Sequence, residues 1–249
     1  CVFCLAGCQG NSYVQNKVPE AKVADERSED EEMKFSLAKL REQDNQLIEA
    51  QETYEELLQA DPDNADYNHR YGVVLCRLGR YEDGIEAFRV ADSARPNDPK
   101  ILNDLGFSCM VMGENTQAIS VLETALESDP QNERATNNLA MAHGYNGNFD
   151  EAYAIFQRIM TEAQAMSNLG YIATQTGKKD FAIECYSRAL DLDSDMTEAK
   201  EALVQLADLD RRLEHRKSIA SVTASNADEV IHASSTVPAE GQNRVQRAN

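Results

Sequence analysis

The feature that most constrains this chain is an internal repeat with a period of 34 residues. A small residue, a glycine and a proline each recur at this spacing: Gly72, Gly106 and Ala140; Gly79, Gly113 and Gly147; Pro62, Pro96 and Pro130. A further unit follows 30 residues later, with Gly170 and Gly177. A unit this short cannot bury an apolar face alone, so the repeat predicts stacked units that share a continuous core.

This pattern resembles the tetratricopeptide repeat, because the matching positions agree together rather than singly. The resemblance implies an all-α fold, a right-handed superhelical solenoid of helix-turn-helix repeats. On this basis we place five repeats and a C-terminal capping helix, at 31–64, 65–98, 99–132, 133–162, 163–196 and 197–217 respectively. The 218–249 segment, rich in small polar residues, is expected to be a disordered tail.

Residue size and backbone freedom explain the repeated positions. Both residues must be small where the two helices of a repeat cross; these are Ala38, Gly72, Gly106, Ala140 and Gly170 on first helices and Ala50, Gly84, Ala118, Ala152 and Ala182 on second helices. The turn between the helices needs a left-handed residue, supplied by Gly79, Gly113, Gly147 and Gly177, with Asn45 in the first repeat. Loops such as Asp61 to Asn64 are expected to end one helix and begin the next.

Two regions depart from the regular repeat. The fourth unit lacks an Asp-Pro loop and is four residues shorter, about one helical turn, so we expect the pitch of the array to change there. The capping helix is expected to pack inward through Ala199, Ala202, Leu203, Leu206 and Leu209, and to expose Glu201, Asp208, Arg212 and Arg216.

Charge limits the class of partner. The chain holds 24 Lys and Arg against 43 Asp and Glu, a formal net charge of −19. A nucleic acid partner would require a basic surface, so none is expected. No run of 18 apolar residues is present, so no transmembrane helix is expected.

The first residues resemble a bacterial lipoprotein processing site. The chain starts at Cys1 rather than Met, and Leu5-Ala6-Gly7-Cys8 is similar to a lipobox after a short apolar stretch. The resemblance implies that 1–7 is a signal-peptide remnant, that Cys8 is lipidated, and that 8–30 is a disordered tether. It also implies delivery to the periplasmic side of the outer membrane, because Gln9 is not the Asp that retains such proteins at the inner membrane. The alternatives are a secretory signal with a chance cysteine, or a cytosolic chain.

The chain offers few residues suited to catalysis or to metal binding. Its four histidines are not paired at ligand spacing, and the cysteines beyond Cys8 are widely separated: Cys76, Cys109 and Cys185. Neither a P-loop nor a complete calcium loop is present. We therefore expect no metal, no cofactor and no enzymatic activity.

In the tetratricopeptide family the first helices line a concave groove. Carried over by repeat position, the predicted peptide-binding residues are Val73, Asn103, Phe107, Met110, Asn137, Met141, Tyr145 and Tyr171, which make an apolar and aromatic centre flanked by amides. The ninth positions are apolar, so the family's carboxylate clamp for chaperone tails is not expected. The alternative is that Phe107, Met141 and Tyr171 only pack between neighbouring helices.

These features predict a non-enzymatic protein-protein interaction scaffold in the bacterial envelope. The repeats at Asn137 to Ala140 and Asn168 to Tyr171 are similar to those of the Flp (tight-adherence) pilus assembly lipoprotein. That resemblance implies a role in assembling a pilus or secretion system. The alternatives are an accessory module that recruits a cell-wall or glycan-processing enzyme, and a cytosolic co-chaperone if Cys8 is not acylated.

Overall fold

The computed structural model describes residues 28–209, 211, 212 and 216. Ten helices are α1 (Glu29–Gln43), α2 (Leu47–Ala60), α3 (Ala65–Arg77), α4 (Tyr81–Ala94), α5 (Pro99–Val111), α6 (Asn115–Ser128), α7 (Glu133–Tyr145), α8 (Phe149–Phe156), α9 (Glu162–Gln175) and α10 (Lys179–Leu192). An eleventh, α11, covers 197–209. The described residues form an all-α array of helix pairs, which confirms the predicted repeat architecture. The predicted segments 1–7 and 218–249, and Cys8, lie outside the described residues.

The array begins slightly earlier than expected. Helix α1 starts at Glu29, inside the segment predicted as tether, because Ser28 caps it. The Ser28 hydroxyl accepts a hydrogen bond from the Glu31 N–H, and the Glu31 carboxylate accepts one from the Ser28 N–H. This reciprocal pair satisfies two donors that a helix end would otherwise leave free.

Polar caps and left-handed turns separate the helices. Asn64, Asp98, Asn132 and Thr161 accept backbone hydrogen bonds at the starts of α3, α5, α7 and α9. The five predicted turn residues all have positive φ, from 60° at Asn45 to 90° at Gly147. Asn97, with φ 61°, is a left-handed residue that the repeat pattern did not predict.

Close packing within each repeat explains the small residues. A Cβ placed on Gly72 would lie 2.7 Å from the Phe88 ring and 3.0 Å from the Gly84 carbonyl oxygen. A Cβ on Gly106 would lie 2.5 Å from Leu122 Cγ. These distances are shorter than van der Waals contact, so a larger residue would push the paired helices apart.

The fourth repeat is shortened in its second helix. Helix α8 has 8 residues where α6 has 14, and a turn over 157–160 replaces the rest. Thr161 then starts α9 through a capping box with Gln164. The fourth repeat is therefore short because its second helix, α8, ends early. Thr161, which caps α9, takes the place of the absent Asp-Pro loop.

The capping helix closes the array through part of the predicted face. Ala199 and Leu206 are buried, and Ala202 and Leu203 pack beside Ala173 and Tyr186 of the last repeat. Leu209 is 50% exposed, so its predicted inward packing is wrong. None of the described helices is long and apolar enough to cross a membrane.

Candidate functional site

The first helices of the repeats form the inner surface of the array. Among α1 to α10, each first helix contacts the first helix of the next repeat, as α5 contacts α7 and α7 contacts α9. The backbones of second helices do not approach one another in this way, although the Phe149 ring of α8 and the Phe181 ring of α10 meet edge to face with their centroids 4.9 Å apart. Because the first helices are closer together than the second, they line the concave side, which we call the groove.

Phe107 and Tyr171 are exposed in this groove. Phe107 on α5 is 42% exposed and Tyr171 on α9 is 49% exposed, and every other aromatic residue that the structure describes is less exposed than these two. Val111, one turn after Phe107, is also exposed. Burying these side chains would gain free energy, because apolar surface would leave water. The centre of the groove therefore presents aromatic surface that the fold itself does not cover.

Three more of the predicted residues form the floor of the groove. Val73, Met141 and Tyr145 are half-buried and pack on the core beneath them. Met141 and Tyr145 contact the apolar clusters of both neighbouring repeats. Burial raises the pKa of Tyr145, and the neighbouring Tyr171 hydroxyl raises it further, so the two tyrosines lie close together across α7 and α9.

Two predicted groove residues are buried instead. Met110 is 7% exposed and belongs to the core of the third repeat. Asn103 is 9% exposed, and its amide already has partners: Nδ2 donates to Asp104 Oδ1 at 3.1 Å, and Oδ1 accepts from Asn138 Nδ2 at 3.0 Å. In the structure these two side chains therefore belong to the core and to a contact between first helices, and they add nothing to the exposed surface of the groove.

The Asn103–Asn138 bond is one of two equivalent links between first helices. One repeat earlier, His69 Nε2 lies 2.8 Å from Asp104 Oδ2. In both cases the fifth residue of one repeat bonds the sixth residue of the next. These pairs are visible in the sequence as polar residues 35 positions apart, one more than the repeat period. Comparison of positions exactly 34 residues apart does not find them.

The shortened fourth repeat lacks the equivalent link to the next repeat. The corresponding pair is Asn137 and Asn168, only 31 residues apart, and they form no such bond. Asn137 Nδ2 makes only a 3.5 Å contact with Met141 Sδ, while Asn168 Nδ2 contacts Met160 Sδ. Asn137 is half-buried on the groove side. It is therefore the predicted amide that keeps hydrogen-bonding capacity for a partner.

A cleft at the C-terminal end extends the groove beyond the repeats. It has a volume of about 520 Å³ between α9, Tyr186 of α10, and α11. Tyr171 forms one wall and Leu206 and Leu209 the other, with Glu198 and Glu201 at the rim. Sequence reasoning missed this cleft, because the capping helix lies outside the repeat and its residues have no repeat position to carry over.

The described residues contain no group of three or more His, Cys, Asp or Glu that could hold a metal ion. Burial raises the pKa of the Cys109 and Cys185 thiols to about 11 and also raises that of Cys76. These thiols are protonated at neutral pH, and a protonated thiol is a poor nucleophile.

The chain matches known proteins along its repeats. The tetratricopeptide repeat family matches residues 35–99, 112–169 and 163–196. No curated protein matches the chain. Among solved structures, YrrB, described as a tetratricopeptide repeat protein with an unusual peptide-binding site, is 22% identical with a TM-score of 0.55, over 68% of this chain and 89% of its own.

Two further structures share the fold. PilW, described as a widely conserved type IV pilus biogenesis factor, is 23% identical with a TM-score of 0.56, over 70% of this chain and 82% of its own. MamA from Desulfovibrio magneticus RS-1 is 17% identical with a TM-score of 0.57, over 68% and 98%. At these identities the likeness establishes the fold alone. With the helix pairs, the glycine turns and the family matches together, the chain belongs to the tetratricopeptide repeat family.

Proposed function

We propose that the groove binds an extended or helical segment of a protein partner, and that the chain acts as a non-enzymatic assembly scaffold. The observation that carries the proposal is the exposure of Phe107 and Tyr171 on the concave side. Aromatic side chains in a concave surface are the usual anchors of peptide binding, because they bury a large area at a small cost in side-chain entropy.

Polar groups around these anchors support backbone recognition. The Asn137 amide can donate to and accept from a peptide backbone, since it forms no amide-amide bond with its neighbour in the next repeat. The half-buried floor of Val73, Met141 and Tyr145 provides an adaptable apolar base. A partner segment would therefore gain affinity from the aromatic side chains and orientation from the amide.

We further propose that the scaffold works in the bacterial envelope, anchored by a lipid at Cys8 on the periplasmic side of the outer membrane, in pilus or secretion-system assembly. The Leu5-Ala6-Gly7-Cys8 motif supports the address. The resemblance of Asn137 to Ala140 to the Flp pilus lipoprotein supports the pathway. PilW, a type IV pilus biogenesis factor, shares the fold, which is consistent with that pathway.

The test is capture of crosslinked partners in cells, with the protein expressed from its natural start. The wild type is expected to capture envelope components, and Phe107→Ala/Tyr171→Ala to lose them. Removing two aromatic anchors should lower the affinity for a partner by at least about a hundredfold. Glu123→Gln/Glu127→Gln, two exposed residues of the second helix α6, is the matched control.

Each part of the proposal has its own contrary result. An unchanged set of captured proteins in the aromatic double variant would show that Phe107 and Tyr171 are packing residues only. Capture of cytosolic proteins alone would overturn the envelope address. Cys8→Ser is expected to move the protein out of the membrane fraction, and a variant that stays there would refute the lipid anchor.

A further inference from the structure

The charged side chains that line the C-terminal cleft are both acidic. Among the described residues that line it, Glu198 and Glu201 are the only charged ones, and none is a Lys, Arg or His. Both glutamates are exposed, and neither forms an ion pair with a described residue. The cleft is therefore lined by apolar and uncharged polar side chains, and it is negative at its rim.

The two glutamates repel each other in the free protein. They are three residues apart on α11, and residues at this spacing lie side by side on one helix face. Like charges at this separation destabilise a helix slightly. A cation bound between them would relieve that repulsion, so the rim favours a positively charged group beyond the general attraction of a chain with net charge −19.

The walls suit the apolar part of a cationic side chain. Lys and Arg lay their methylene stems on apolar surfaces while the charged group stays in water. In this cleft Leu206, Leu209 and the Tyr171 ring would contact the stem, and the ring face would also attract the cation. The volume of about 520 Å³ is enough for such a side chain together with an apolar neighbour.

We propose that this cleft selects a Lys or Arg, next to an apolar residue, in the segment that occupies the groove. The capping helix then does more than close the core, because it supplies the carboxylates that determine specificity. Since Tyr171 belongs to both sites, the cleft also sets where the cationic end of the segment lies, at the C-terminal end of the array. This inference rests on the proposed function of the groove.

The test is selection from a library of random twelve-residue peptides displayed on phage, with the full chain as bait. We expect selected peptides to be enriched in Lys or Arg beside an aliphatic or aromatic residue. For the strongest selected peptide, Glu198→Gln/Glu201→Gln should weaken binding about five- to tenfold, as for two exposed ion pairs. Glu123→Gln/Glu127→Gln changes net charge equally and should alter binding less than about twofold.

The outcomes separate the two proposals. Peptides that lack a cation, or that bind the Glu198→Gln/Glu201→Gln variant as well as the wild type, would overturn the proposed role of the cleft. Loss of their binding on Phe107→Ala, a groove residue outside the cleft, would still support the groove. If both pairs of Gln substitutions weaken peptide binding equally, the proposed role of the cleft is also overturned, because binding would then depend on net charge alone. Failure of the wild type to select any peptide would overturn both proposals.

Discussion

A Cβ at Gly106 provides a direct test of the packing that holds each repeat together. Gly106 lies in the first helix α5, and a Cβ there would be 2.5 Å from Leu122 Cγ and 2.9 Å from its Cδ2. Leu122 is fully buried in the second helix α6. Because two carbon atoms pack at about 3.5–4.0 Å, Gly106→Ala requires one helix to move by about 1 Å.

Two opposing terms set the size of the effect. Ala in place of Gly inside a helix gains about 1 kcal/mol. Overpacking a core costs about 1–3 kcal/mol, and the short distance to Cγ places this site in the upper part of that range. We therefore expect Gly106→Ala to lower the free energy of unfolding by about 1–2 kcal/mol. Leu122→Ala removes the clashing atoms, so in that background Gly106→Ala should instead stabilise by about 1 kcal/mol.

The assay is urea unfolding followed by circular dichroism at 222 nm for the wild type, both single variants and the double variant. The control is Gly170→Ala, the same substitution at the equivalent position of the fifth repeat, where the Cβ would meet Tyr186. Its effect should be independent of Leu122, within about 0.5 kcal/mol. If Gly106→Ala has the same effect with Leu122 and with Ala at 122, contact between these two positions is not the reason for the glycine.

Two further predictions concern buried polar groups. Glu42→Ala should lower the free energy of unfolding by about 2 kcal/mol, because it leaves the partly buried Arg70 without a carboxylate. In the wild type Arg70 Nη2 lies 2.5 Å from Glu42 Oε1. A loss below about 0.5 kcal/mol, the value expected of the exposed control Glu127→Ala, would contradict this. Stability to urea should fall as pH rises through 9 towards 11, because burial raises the pKa of Cys109 and of Cys185 from 9.0 to about 11 and the unfolded chain loses these protons first. Between pH 9 and 10 the fall should be shallower in Cys109→Ala/Cys185→Ala, and an identical fall would refute the assignment to the thiols.

The turns and crossings could be predicted because they depend on the chain itself. A positive φ favours glycine or asparagine in any surroundings, so Gly79 and Asn45 identified their turns directly. Asn97 was missed because it adopts the same conformation at a position where the other repeats do not require it. Its N–H donates to Asp92 Oδ1 at 3.1 Å, a local contact that no periodicity predicts.

The composition of the groove could be predicted only in part. Repeat position identifies the helix face, and it placed Phe107 and Tyr171 on the exposed side. It does not show how deeply a side chain is buried, because burial depends on which residue of the next repeat packs against that side chain. Asn103 has the same repeat position as Asn137, but the regular spacing after Asn103 brings Asn138 within hydrogen-bonding distance. The shorter spacing after Asn137 does not bring Asn168 there.

The sequence by itself therefore determined the fold, the number of repeats and the site of the shortened unit. These follow from periodicity and backbone conformation, which act within one repeat and recur in each. The tertiary structure alone decided which groove side chains are free and that α11 adds a negatively charged cleft beside Tyr171. Those features depend on how one unit packs on the next, and a pattern that assigns every unit the same contacts does not contain that information.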